Sequence, residues 1–154
     1  LDRAAQQQRF RTHVQCAVDL GKPVIVHTRD AGEDTLAILR EENASQCGGV
    51  IHCFTETMAF AEKALELGFL ISFSGIITFR NAEPLREVAR QVPERHLLIE
   101  TDSPYLAPAP HRGKQNHPAY VRHVAQQLAA IRDTSVEQIA AITSANYFRV
   151  FGRC

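Results

Sequence analysis

Three polar residues suggest chemistry before anything else in this chain. His27 and His52 close the apolar runs Val24-Ile25-Val26 and Val50-Ile51, and Asp102 ends the stretch His96-Leu97-Leu98-Ile99-Glu100-Thr101. Twenty-five residues separate His27 from His52, and twice that number separates His52 from Asp102. A step of that length suits one strand, loop and helix. The three residues therefore occupy equivalent places, each at the C-terminal end of its strand. Neighbouring parallel strands lie about 4.8 Å apart, so His27 and His52 on adjacent strands can reach one ion or two close ones. Asp102 belongs two strands further round, and a curved wall brings it back toward the same point. Imidazole plus carboxylate suits one or two divalent ions such as Zn²⁺, Mn²⁺ or Mg²⁺. Such an ion acidifies its water into a nucleophile near neutral pH.

Each residue also has a plainer reading. A histidine ending a strand is commonly structural or solvent-facing, and Asp102 can close a turn with Ser103-Pro104. Spacing alone leaves both readings open. Cys53 follows His52 and points to the opposite face by strand alternation, so it is expected in the core. The segment from His111 to Pro118 carries Arg112 and Lys114 into a helix start. Helix-start amides with two cations attract an anion such as phosphate, and a solvated basic loop is the alternative. Arg29, Arg80 and Arg86 add positive charge near the same end or sit as surface charges. No G-x-S-x-G elbow, P-loop or glycine-rich dinucleotide pattern occurs.

The elements that must position these groups follow from hydrophobic periodicity. Helical spacing is read from Asp2 to Leu20, from about Gly32 to Glu42, from Thr57 to Leu67, and from an Asn81 cap to Val92. Strands are read at Val24–His27, Val50–Phe54, Phe69–Ser74 and His96–Asp102. A Pro-rich loop from Ser103 to Pro118 exceeds the usual connection length and is read as functional. Two helices close the chain, about Ala119–Arg132 and Val136–Phe151, the last opened by a Ser135-x-x-Gln138 capping box. Helices separate all the strands, so parallel pairing with right-handed crossovers is expected. Strand ends at one rim are then where an α/β barrel keeps its active site.

Composition bounds the rest. The chain has 154 residues, with 17 Lys plus Arg against 17 Asp plus Glu. That balance argues against a nucleic-acid-coating protein or an acidic disordered segment. It gives no support for tight DNA binding and is compatible with transient contact. Hydrophobic residues at 45% suffice for one domain core. No apolar run approaches the roughly 18 residues of a membrane span, and no signal-peptide pattern opens the chain. Cys16, Cys47, Cys53 and Cys154 form no C-x-x-C pair. A reduced, cytoplasmic setting without membrane association is the expectation.

Taken together, these segments resemble the TatD family of metal-dependent hydrolases. The resemblance rests on Pro23-Val-Ile-Val-His27-Thr-Arg-Asp30, Gly49-Val-Ile-His52-Cys-Phe54, Ser72-Phe-Ser-Gly75 and Glu100-Thr-Asp102-Ser-Pro-Tyr-Leu106. His111-Arg-Gly-Lys114 with Asn116 and Pro118 is similar to the family's later loop, and Asn146 to Gly152 to its last helix. The resemblance implies a (β/α)8 TIM-type barrel, a one- or two-metal centre, and hydrolysis of phosphodiesters, notably DNA. It implies that His27 and His52 are metal ligands, and that Asp102 is a ligand beside the attacking water and the catalytic residue. Arg112 and Asn116 fall in the matching loop, and substrate binding is inferred for them.

The front of the family pattern has no counterpart here. The family carries an H-x-H pair on its first strand and a ligand Glu near G-E-x-G-L-D, and neither string occurs. A whole barrel takes about 250 residues. Residues 1–154 are therefore expected to be a partial barrel domain: α/β, the C-terminal half of the barrel, with a parallel sheet and C-terminal helices. Such a piece would bind metal weakly, hydrolyse little, and self-associate through the open edge at Val24–Val26. Two alternatives stand beside nuclease activity: an amidohydrolase-like barrel cleaving an amide, ester or aminoacyl bond, and a non-catalytic fragment.

Overall fold

The structure, a computed structural model, describes residues 2–152. Cys154 lies outside the described residues; Cys16, Cys47 and Cys53 are free thiols. Helices and strands alternate in the expected order: α1 (Arg3–Leu20), β1 (Val24–His27), α2 (Gly32–Glu41), β2 (Gly49–His52), α3 (Met58–Glu66), β3 (Phe69–Phe73), α4 (Glu83–Gln91) and β4 (Leu97–Ile99). Two helices then follow directly, α5 (Val121–Ile131) and α6 (Val136–Phe151).

The four strands form one sheet in sequential order, and each pair is parallel. Sequential parallel strands with crossover helices build one wall of a (β/α)8 barrel. Register aligns Val24 with Gly49 and His27 with His52. Gly49 is dictated by that pairing: a Cβ there would lie 2.0 Å from the Val24 carbonyl oxygen and 2.8 Å from the Phe69 ring.

Strand alternation divides the side chains between two faces. Val26, Ile51, Phe69, Ile71, Phe73 and Leu97 join one large core with residues of all six helices, among them Val14, Leu39, Phe60, Val88, Leu128 and Ile139. Full burial of each such side chain is worth about 1.5–3 kcal/mol. The other face is narrower. Val50, Leu70 and Leu98 pack there beneath Val150 and Phe151 of α6. His27, His52 and Glu100 share the parity of this second face, one step further toward the C-terminal rim.

Several boundaries differ from the sequence reading for local reasons. β4 is shorter than His96–Asp102 because Glu94–His96 forms a 3-10 turn, with buried His96 placing Nδ1 3.0 Å from the Phe69 carbonyl oxygen. The ladder still runs one residue past β4, since Glu100 N–H donates to Phe73 O at 3.0 Å. Asn81 does not cap α4. Ala82 holds that position without a side-chain bond, and Pro84 and Glu83 supply the helix start. Ser135 caps α6 by accepting from Gln138 N–H at 3.1 Å. The reciprocal half of the capping box is absent because Gln138 Oε1 accepts from Thr134. Arg86 is no free surface charge: it donates to the carbonyls of Ile77 and Phe79 and pairs with Glu83.

Candidate metal centre

Parallel pairing brings the ends of β1, β2 and β4 to one rim. His52, the last residue of β2, stands between two carboxylates. Its Nδ1 lies 2.8 Å from Glu100 Oε1, and its Nε2 lies 3.4 Å from Asp102 Oδ1. Ligand atoms of His52, Glu100 and Asp102 all fall within 4.8 Å of one another, and all three side chains are half-buried.

Backbone geometry sets the two carboxylates. Cys53 leaves β2 in the left-handed region, at φ 48°. Its N–H donates to Glu100 Oε2 at 3.1 Å. That bond fixes one oxygen of Glu100 and leaves the other facing His52. Asp102 also adopts a left-handed conformation, at φ 57°, and its carbonyl accepts from Tyr105 N–H at 2.9 Å. Left-handed backbone costs a non-glycine residue roughly 1–2 kcal/mol. Both instances border the same cluster, which is where such strain concentrates. The turn reading of Asp102 and its place beside His52 therefore hold together.

The donor set fits a divalent cation. Glu100 Oε1 is buried and has no hydrogen-bond partner among the described residues. Its approach to His52 Nδ1 is close in distance but not directed as a hydrogen bond. A buried carboxylate oxygen without a donor is costly, and a cation shared with an imidazole and a second carboxylate removes that cost. One nitrogen and two carboxylate oxygens suit Zn²⁺ or Mn²⁺. His52, Glu100 and Asp102 are the residues that can hold it.

His27 stands next to this group. Its ring centroid is 5.7 Å from that of His52, and the side chain is exposed. It lines a cleft with Arg29, Glu56, Asp102 and Tyr105. Burial raises the carboxyl pKa of Glu56, and the charge of Asp30 raises it further. Cys53 is buried with Sγ 3.4 Å from Ser74 Oγ, and burial pushes its thiol pKa up. It is buried as expected, but its left-handed turn sets it in the wall of the cleft with His27 and Asp102 rather than on the face opposite His52.

The long loop carries Arg112 and Asn116, and the contacts of both are internal. Asn116 is 5% exposed. Its Nδ2 donates to Thr101 O at 2.7 Å and Tyr105 O at 2.6 Å, and its Oδ1 accepts from His117 N–H. It clasps the loop onto the residues flanking Asp102. The Arg112 guanidinium stacks 3.6 Å over the Phe79 ring and donates to Ala107 O at 3.1 Å. Gly75 admits this loop: a Cβ there would lie 2.3 Å from Leu106 O.

Sequence reasoning missed Glu100. Parity along β4 carried the signal, because Leu98 and Glu100 share the face that His52 occupies on β2. The 25-residue step pointed past it to Asp102.

Residues 1–152 match the family described as TatD related DNase. The chain belongs to that family. It is 61% identical over 146 residues to YcfH of Escherichia coli K12, named as an uncharacterized metal-dependent hydrolase, covering 95% of this chain and 55% of that protein. It is 38% identical over 153 residues to a protein of Citrobacter rodentium named as the 3'-5' ssDNA/RNA exonuclease TatD, covering 96% and 58%. The crystal structure of YJJV, a TatD homologue from Escherichia coli K12, superposes with a TM-score of 0.84 at 28% identity, over 92% of this chain and 54% of that one. The TatD-like barrel fold follows from these matches. The chain spans about half the length of the curated relatives it matches. Among the described residues, no helix is long and apolar enough to cross a membrane.

Proposed function

We propose that this chain supplies part of a divalent-metal centre that hydrolyses phosphodiester bonds in nucleic acid. One observation carries the reading: His52 and Asp102 enclose Glu100 Oε1, a buried carboxylate oxygen with no hydrogen-bond partner among the described residues. Family membership supports it, and so does the exonuclease name of the Citrobacter rodentium relative. In this proposal His52, Glu100 and Asp102 hold the ion, and His27 joins them from β1.

A bound divalent ion supplies Lewis acidity toward a phosphoryl oxygen and makes water acidic near neutral pH. The chain's own groups do the rest. Asp102 orients the attacking water and accepts its proton at a carboxylate oxygen. Glu100, fixed by Cys53 N–H, keeps its second oxygen aimed at the centre. Tyr105, 71% exposed beside the cleft, offers a ring face on which a base can stack. Arg29 lines the same cleft with an exposed guanidinium. Arg112 uses one of its five N–H donors on Ala107 and keeps others for an anion. Asn116 acts by holding the loop.

The test is a substrate panel with Mn²⁺, Mg²⁺ and Zn²⁺: single-stranded DNA and RNA oligonucleotides against aryl esters, amides and aminoacyl compounds. Metal-dependent oligonucleotide cleavage, slow because this chain supplies only part of the centre and lost in His52→Ala with retained circular dichroism, is the expected result. Selective turnover of an ester, amide or aminoacyl compound overturns the phosphodiester reading. Equal turnover by His52→Ala overturns the site.

A further inference from the structure

A second group of histidines lies away from His52, where the long loop meets α5. His111 sits in the loop and His123 in the first turn of α5. Their Nε2 atoms face each other at 3.2 Å. Two nitrogens bound to one tetrahedral Zn²⁺ at 2.0–2.1 Å are about 3.3 Å apart. The two rings already hold that spacing.

Neighbours orient both rings when no ion is bound. His123 Nδ1 lies 3.1 Å from Gln126 Oε1, a carbonyl oxygen that can only accept. Nδ1 therefore carries the proton, and the Nε2 lone pair points at His111. A ligating histidine commonly donates its other ring N–H to such an acceptor, which orients the lone pair on the metal. His111 stacks face to face on Tyr120, with centroids 4.1 Å apart and planes within 1°. Tyr120 also contacts His123, 5.7 Å between centroids. His117 is engaged elsewhere, since its Nδ1 accepts from Ala119 N–H. Both His111 and His123 are half-buried, so water can complete a coordination shell.

We propose that His111 and His123 form a two-histidine site for a late first-row divalent ion, Zn²⁺ in the first instance. Imidazole pairs select Zn²⁺, Ni²⁺ or Cu²⁺ over the oxygen-seeking Mg²⁺ and Ca²⁺. Without metal, neutral His111 donates Nε2–H to His123 Nε2. On binding, that proton moves to His111 Nδ1, both Nε2 lone pairs turn to the ion, and no net proton is lost. The ion ties the loop that follows Asp102 to α5. It is a staple for the rim and is independent of the hydrolytic reading.

The experiment titrates Zn²⁺ into metal-stripped protein carrying ¹⁵N-labelled histidine. Equilibrium dialysis of the unmodified protein and of His123→Gln runs alongside. Ring nitrogen shifts at His111 and His123 are expected in addition to those at His52. His123→Gln should bind one Zn²⁺ fewer per chain, and Mg²⁺ at the same concentration should leave both rings unmoved. Ring signals of His111 and His123 that keep the direct Nε2–H···Nε2 bond at Zn²⁺ saturation overturn the site. An unchanged stoichiometry in folded His123→Gln does the same. The unmodified protein decides the matter if that variant does not fold.

Discussion

Glu100 and His52 meet at 2.8 Å between Oε1 and Nδ1, yet the buried Oε1 has no hydrogen-bond partner among the described residues. The other oxygen of the same carboxylate is held by Cys53 N–H at 3.1 Å. One residue is thus half satisfied by backbone and half directed at a cluster of donors. That asymmetry is what a ligand carboxylate needs: one anchored oxygen and one available.

Replacing Glu100 by Gln tests this directly. The Gln carbonyl oxygen still accepts from Cys53, so the fold is kept. The charge and one ligand oxygen are lost. Affinity for Mn²⁺ or Zn²⁺ at this centre is expected to fall at least tenfold, the scale seen when groups around a metal are altered. Calorimetric titration checks it, with thermal unfolding expected to change little.

Asn116→Ala is expected to act through stability. It removes the donor to the carbonyls of Thr101 and Tyr105. A buried acceptor left unpaired costs about 1–3 kcal/mol. A lower midpoint in urea denaturation, with KM unchanged at temperatures where the protein is folded, identifies a positioning residue. A raised KM with unchanged stability points to substrate contact instead.

His96 makes stability depend on pH. Burial is the main influence and lowers its pKa from the ordinary 6.5, outweighing the raising effect of its bond to the Phe69 carbonyl. The folded state therefore takes up this proton less readily than the unfolded chain. Its contribution is complete above pH 6.5 and is lost as pH falls from there toward the lowered value. Denaturation midpoints measured across that window should drop, and the part due to His96 should vanish in His96→Asn.

β1 is the first strand of the sheet, and Ile25 on it is 61% exposed. An unpaired edge with an exposed apolar side chain favours association. Sedimentation of the chain should show concentration-dependent self-association, reduced in Ile25→Lys. A monomer at all concentrations contradicts the expectation.

Much of the architecture was legible in order and type. Apolar runs bounded by Gly and Pro located β1 to β3 closely; β2 and β3 are covered on both faces and so must be apolar along their length, whereas β1 leaves Ile25 exposed. The equal step from His27 to His52 correctly placed them opposite each other, since parallel register follows from repeated units of equal length. Boundaries at Asn81 and His96 were misplaced, because capping and 3-10 turns depend on contacts made by distant segments.

The sequence by itself determined the alternation of helices and strands and the rim at which polar residues gather, through periodicity and spacing, which are local properties. Only tertiary structure decided that Glu100 stands with His52 and Asp102 and that Asn116 is a clasp. It alone paired His111 with His123. Those relationships join residues 11 to 48 positions apart, and chain crossings, left-handed turns and burial set them only once the sheet and its loops have closed on one another.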